Sequence, residues 1–196
     1  MAATTEVTPE HVLQLTAPST GFLCPITANT YNIEFYSFVV RDADTKQVMF
    51  EVERDASTYP SVASLAQLPE EQQQAARTIF YRFPPSMLRK QRVSATLLFG
   101  VNGDKPVPDL RMIERHYFRN TLVKTFDFKF GFCIPHSRNT WEAVYDVPQF
   151  NAEWLEAIEK GTNEMTSDSF YFADGRLIMH NRAFYDYSAP EEEFTK

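Results

Sequence analysis

Phe126-Asp127-Phe128-Lys129-Phe130-Gly131-Phe132 is the stretch on which the reading of this chain turns. Phenylalanine takes every second position, and a period of two sends alternate side chains to opposite faces of a strand. The alternation predicts a strand over 125–132 with all four rings on one face and Asp127, Lys129 and Gly131 on the other. Each ring buries roughly 150–250 Å². Inward rings in such a row either fill a thick core or line a cavity for something apolar. The stretch by itself leaves both open.

Working outward, the same alternation recurs along most of the chain. It predicts strands at Tyr31 to Val40, Val48 to Glu53, Thr78 to Phe83, Val93 to Gly100, Arg111 to Arg119 and Trp141 to Tyr145. Two last strands, Ser169 to Ala173 and Arg176 to Tyr187, pair around Asp174-Gly175. Turn residues stand at Asp42 to Lys46 and at Asn102-Gly103-Asp104, and Ser137-Arg138-Asn139-Thr140 reads as a polar turn. About nine short strands with turns between them make an all-β protein, an antiparallel sandwich.

Helices are short accessories. Thr8-Pro9 opens one and Pro69-Glu70-Glu71 another. Asn151 to Lys160 is a full helix, with Asn151 as N-cap, Glu153 in the first turn and Gly161 as the stop. At 196 residues the chain is one domain. It divides into a loosely ordered segment over 1–20 and a sandwich over 21–190, with a mobile insertion at about 56–76 that is rich in Ser, Ala and Gln.

Composition narrows the partners. The formal charge is −7, which argues against nucleic acid and anionic membrane surfaces, since both need clustered Lys and Arg. Cys24 and Cys133 are too few for a disulfide framework and read as free thiols. Met1 to Glu10 lacks the basic region and apolar stretch of a signal peptide. Ala2 offers no myristoylation site, and the ending Glu193-Phe194-Thr195-Lys196 is no prenylation motif. No apolar run approaches the ~18 residues of a membrane span. The expectation is a cytoplasmic protein without stable membrane insertion.

The strand Arg111 to Arg119 carries a second anomaly. Met112, Glu114, His116 and Phe118 share one face, and Arg111, Ile113, Arg115, Tyr117 and Arg119 the other. The arginines call for solvent, so the first face turns inward and takes a carboxylate and an imidazole into an apolar interior. Unpaired burial of such groups costs several kcal/mol. Their partners are each other, the sheet backbone, or the polar end of a bound ligand. Tyr81, on the face of Ile79 and Phe83, presents an apolar body with a hydroxyl that must also find a partner, as do Tyr145 and Tyr171. Glu with His is an acid–base pair in principle. No nucleophile motif, phosphate loop or metal-ligand spacing accompanies it, and the four histidines are scattered. This is the pattern of a protein that is not an enzyme, with no metal and no cofactor.

Four runs together resemble a known family. They are Arg111-Met112-Ile113-Glu114-Arg115-His116-Tyr117-Phe118, the stretch from Phe126 to Pro135, Ser167-Asp168-Ser169-Phe170-Tyr171-Phe172-Ala173, and Leu177-Ile178-Met179-His180-Asn181. The chain resembles the uncoordinated-119, or retinal protein 4, family from about Pro9 to Tyr187. Relatives of that family are the prenyl-binding phosphodiesterase delta subunit and the Rho GDP-dissociation inhibitors. The resemblance implies an immunoglobulin-like β-sandwich with an apolar cavity between its sheets. It also implies a chaperone for N-myristoylated proteins, unloaded by a GTP-bound Arf-like small GTPase and serving delivery to cilia or flagella. Carried onto this sequence, Tyr81, Glu114 and His116 contact the start of the cargo peptide. Phe38, Met87, Val93, Ala95, Phe126, Tyr145, Val147 and Tyr171 line the acyl chain. Met87 and Val147 stand where aromatics are common in the vertebrate pattern. Beside this reading stand a prenyl-group carrier of the same fold and a solid-core module that binds partners through its sheet edges.

Overall fold

The computed structural model describes residues 6–55 and 60–191. Ala2 and the ending at 193–196, read above for lipid attachment, lie outside the described residues, as do positions 56–59 of the insertion. The chain forms β1 (Ile33–Asp42), β2 (Val48–Glu53), β3 (Thr78–Arg82), β4 (Arg92–Val101), β5 (Val107–Phe118), β6 (Thr121–Cys133), β7 (Ser137–Asp146), β8 (Met165–Ala173) and β9 (Arg176–Asp186). They make two sheets, a four-stranded one in the order β2-β1-β4-β7 and a five-stranded one in the order β3-β9-β8-β5-β6. The all-β sandwich expected from the alternation is what the chain builds.

Hairpin geometry follows local chemistry. Asp174 and Gly175 both take positive φ, 49° and 75°, and join β8 to β9 by the two-residue turn whose twist matches that of strands. Arg119 and Asn120 do the same between β5 and β6. At the end of β1, Asp42 Oδ1 accepts from the Asp44 and Thr45 amides, each at 2.9 Å, and shapes the loop to β2.

Three expectations about the strands are corrected. The sheets are not antiparallel throughout, because β3 runs parallel to β9. β3 arrives after the long connection from β2, which crosses from one sheet to the other, so no hairpin dictates its direction. Ser137 to Thr140 is no turn but the first part of β7, paired with β4 from Ser137 opposite Val101 onward. Its side chains are polar on both faces, so alternation carries no contrast there. The Phe stripe breaks at its last member. Leu110 pairs with Gly131 but Arg111 with Lys129, which leaves one extra residue on β6. Gly131 sits at φ +95° in this bulge, a conformation open to glycine. The parity of the strand then flips: Phe132 is 64% exposed and Cys133 only 1%.

Between the sheets one core packs around Phe99, Val101, Val107 and Leu110, with Phe130 meeting Phe99 at 5.2 Å and Trp141 at 5.4 Å. A second gathers Val40, Met49, Phe83, Leu88 and Ile158. Ile158 comes from α4 (Ala152–Lys160), which Asn151 caps through a 2.8 Å bond from the Trp154 amide, as its sequence predicts.

A third core lies outside the sandwich. Val12, from α1 (Pro9–Leu13), is fully buried against Ile113, Phe170, Phe172 and Leu177 on the outer face of the five-stranded sheet. The sequence before residue 20 shows nothing to hold it in place, yet the chain docks there through Asp168. This carboxylate accepts from the Ser19 amide at 2.9 Å and the Ser19 hydroxyl at 3.1 Å, and Arg182 Nε donates to its other oxygen at 2.9 Å. The Leu23 amide donates to His180 Nδ1 at 3.0 Å. Under this strap Arg115 is 4% exposed, not solvated as its face suggests. It bonds the Leu15 carbonyl and, at 2.8 Å, Thr125 Oγ1. Arg111 does reach the surface region, where it pairs with Asp127 at 2.6 and 2.8 Å. The insertion holds two short helices, α2 (Val62–Leu65) and α3 (Glu70–Ala75), tied by Gln73 Nε2 to the Leu68 carbonyl at 2.8 Å.

Candidate functional site

A cavity of about 390 Å³ separates the two sheets. The four-stranded sheet supplies Phe38 from β1, Val93 and Ala95 from β4 and Tyr145 from β7. The five-stranded sheet supplies Tyr81 from β3, Glu114 and His116 from β5, Phe126 from β6 and Tyr171 from β8. Met87, in a 3-10 turn at Pro85–Arg89, and Val147, just past β7, complete the residues singled out from the sequence. All of them reach this one cavity. Phe132 does not, and Phe128 meets Phe126 at 5.9 Å and Tyr145 at 5.0 Å behind the wall.

Glu114, on the wall of this largely apolar cavity, is 8% exposed, and Glu34, Arg54 and Arg77 stand elsewhere on the lining. Glu114 Oε1 lies 3.0 Å from His116 Nε2, and its Oε2 accepts from the Tyr145 hydroxyl at 3.0 Å. Burial pushes the Glu114 carboxyl up. The charge and hydrogen bond of His116, with bonds from Tyr145 and Ser167, outweigh it and hold the group below its ordinary range. It is an ionised acceptor at neutral pH. Burial, then the neighbouring Glu114 charge, pushes the Tyr145 hydroxyl far up, so it stays a donor. Ser167 Oγ and the Tyr185 hydroxyl bond each other at 3.0 Å beside this pair. Tyr81 is packed among Phe38 at 5.7 Å, Phe50 at 5.3 Å, Phe83 at 5.6 Å and Tyr185 at 5.3 Å. Among the described residues, neither the Tyr81 nor the Tyr171 hydroxyl has a hydrogen-bond partner. Both remain donors on the cavity side.

Sequence reasoning missed several lining residues. Ser167 shares a face with Ser169 and Tyr171, and extending β8 by one more alternation reaches it. Tyr185 follows the same way from Ala183 on β9. Cys24, Pro25 and Ile26 at the end of the strap, and Val62 and Leu65 of α2, also line the cavity, and no periodicity announces them. Burial pushes the Cys24 thiol up to about 11, so it is no ready nucleophile. Among the described residues, no three His, Cys, Asp or Glu side chains converge as metal ligands, and no helix is long and apolar enough to cross a membrane.

A sandwich of two sheets held apart around a largely apolar chamber, with a buried carboxylate cluster on its wall, suits an apolar ligand that has a polar end. The chain belongs to the GMP-PDE delta-subunit family, whose model matches residues 27–187, and within it to the unc-119 proteins. It is 45% identical over 189 residues to protein unc-119 of Caenorhabditis briggsae, covering 96% of this chain and 83% of that one. Its identity to protein unc-119 homolog B of Homo sapiens is 45% over 187 residues, covering 93% of this chain and 72% of the human one. With the unc-119 homolog of Drosophila melanogaster it shares 39% over 198 residues, 95% and 74% of the two chains. Membership supports a lipid-binding and trafficking role, that of a binding protein rather than an enzyme.

Proposed function

We propose that the protein is a cytoplasmic chaperone that takes the acyl chain of N-myristoylated proteins into its cavity. It reads the start of the cargo peptide with Glu114, His116 and Tyr81, and gives the cargo up to a GTP-bound Arf-like small GTPase, in trafficking that includes delivery to cilia or flagella. The observation that supports this reading is the buried Glu114 carboxylate, bonded to His116 and Tyr145, on the wall of a largely apolar chamber. A hydrocarbon alone has no use for a carboxylate. An amide at the end of that hydrocarbon does, because its N–H donates to the carboxylate while its carbonyl accepts from a hydroxyl such as Tyr81.

The energetics suit an exchange with membranes. Burying acyl carbon is worth about 0.8 kcal/mol per CH₂, yet one myristoyl chain binds a bilayer with only K ≈ 10⁴ M⁻¹. A preformed cavity competes with that. The cavity's apolar part serves any such chain, so discrimination rests on the polar end, and residues directly after the acylated Gly are expected to be small.

Fluorescence anisotropy tests the reading with a Gly-starting peptide, myristoylated or bare, beside a farnesylated C-terminal peptide. Tight binding of the myristoylated peptide alone is expected. Equal binding of the bare and acylated peptides sinks the reading, and preference for the farnesylated peptide replaces it with a prenyl carrier.

A further inference from the structure

The hydrogen bond between Tyr145 and Glu114 crosses the cavity. Tyr145 stands on β7, the edge strand of the four-stranded sheet, and Glu114 on β5 in the interior of the other. No ladder joins β7 to β6, the neighbouring edge of the opposite sheet. Tyr145 fills that seam instead, its ring edge-on to Phe126 at 4.6 Å and to Phe128 at 5.0 Å. Its backbone is held from one side only, by Val93 of β4. β7 is therefore an edge strand at this seam, and its end at Tyr145 is fastened to the opposite sheet by a hydroxyl bonded to a buried carboxylate. Bonds of that kind are stronger than neutral ones.

This carboxylate is also the group to which the reading above assigns the cargo's first N–H. Each of its oxygens already holds one partner, His116 on one and Tyr145 on the other, so part of its capacity of about four acceptor sites is taken. From this we infer that Tyr145 is a latch and a specificity-setting residue: its hydroxyl occupies Glu114 in the empty protein and yields it to a cargo backbone N–H on loading, freeing β7 as the chain enters. The inference rests on the acyl-peptide reading. Its consequence is that a ligand without an N–H next to its acyl chain cannot release the latch by substitution. Such a ligand meets the closed form, while an acyl amide exchanges one donor for another. Tyr145 acts on Glu114 as a competitor, and the observed affinity for acylated peptide is lowered by the strength of the bond it replaces.

Tyr145→Phe keeps the ring against Phe126 and Phe128 and removes only the hydroxyl. Two probes are measured against wild type and variant: a myristoylated Gly-starting peptide, and the same peptide with the acylated nitrogen methylated. Expected is a threefold to tenfold tighter binding of the first probe to the variant. The N-methylated probe should gain no more than twofold, because it forms no bond to Glu114. In the empty variant, amide hydrogen exchange along β7 is expected to quicken, with the circular dichroism spectrum unchanged. Weaker or unaltered binding of the first probe by Tyr145→Phe overturns the latch, as does an equal gain for both probes or unchanged exchange in β7. If wild type binds bare and acylated peptides alike, the acyl-peptide reading falls and the latch falls with it. If wild type discriminates and the variant shows no gain, the latch alone is wrong.

Discussion

Replacing Glu114 by Ala removes the acceptor that His116 and Tyr145 share, and replacing Tyr81 by Phe removes one donor facing the cavity. Tyr81→Phe is expected to cost roughly 0.5–1.5 kcal/mol in binding a myristoylated Gly peptide, and Glu114→Ala, which removes a charged acceptor, roughly 1.5–3 kcal/mol, with the fold kept. Anisotropy with a parallel circular dichroism spectrum checks this, and unaltered affinity in both variants would remove the peptide-reading role from this end of the cavity. Glu114 and His116 were legible as inward residues because Met112, Glu114, His116 and Phe118 alternate along a single strand, so one inward member places the rest. The partners were not. Tyr145 is 31 positions from Glu114 and on the other sheet, and Ser167 meets Tyr185 across a hairpin. No local pattern encodes such meetings.

The bulge in β6 governs which way its last residues face. Gly131 holds φ +95°, and a Cβ added there would touch nothing within 4 Å. Gly131→Ala therefore tests backbone strain alone and should cost about 1–2 kcal/mol, read as a lowered midpoint in urea unfolding. A neutral result would mean that the bulge relaxes at no cost. Alternation read the faces of β6 correctly through Phe130 and failed at Phe132, because a one-residue insertion inverts parity and periodicity alone cannot see it. The α4 helix was legible to its caps, since Asn151 and Gly161 act on their own immediate neighbours. The direction of β3 was not, because a long connection sets it.

Acid should unfold the molecule in two stages. Burial pushes the His180 imidazole below its ordinary 6.5, so the folded chain resists a proton that the unfolded chain accepts. Stability then starts to fall as pH drops through about 6.5. Glu114, Asp127, Asp168 and Asp42 are all held below their ordinary values of 4.5 and 3.8, so their contributions are complete above those values. They are lost as pH falls further, through the folded values. Thermal melts between pH 7 and pH 3 should show a shallow decline and then a steep one. A midpoint that stays flat down to pH 4 would contradict the buried, neutral His180. The strap that this histidine fastens was hidden from the sequence, because its anchor joins Ser19 to Asp168 across 149 positions. The strap also gives the five-stranded sheet a character that the other lacks: it is a party wall between two rooms, one packed solid under Val12 and one left hollow for a tenant. Neighbours along one strand, such as Ile113 and Glu114, face one room each, so the sheet that carries the polar wall of the hollow room is also the one that residues 7–24 are held against.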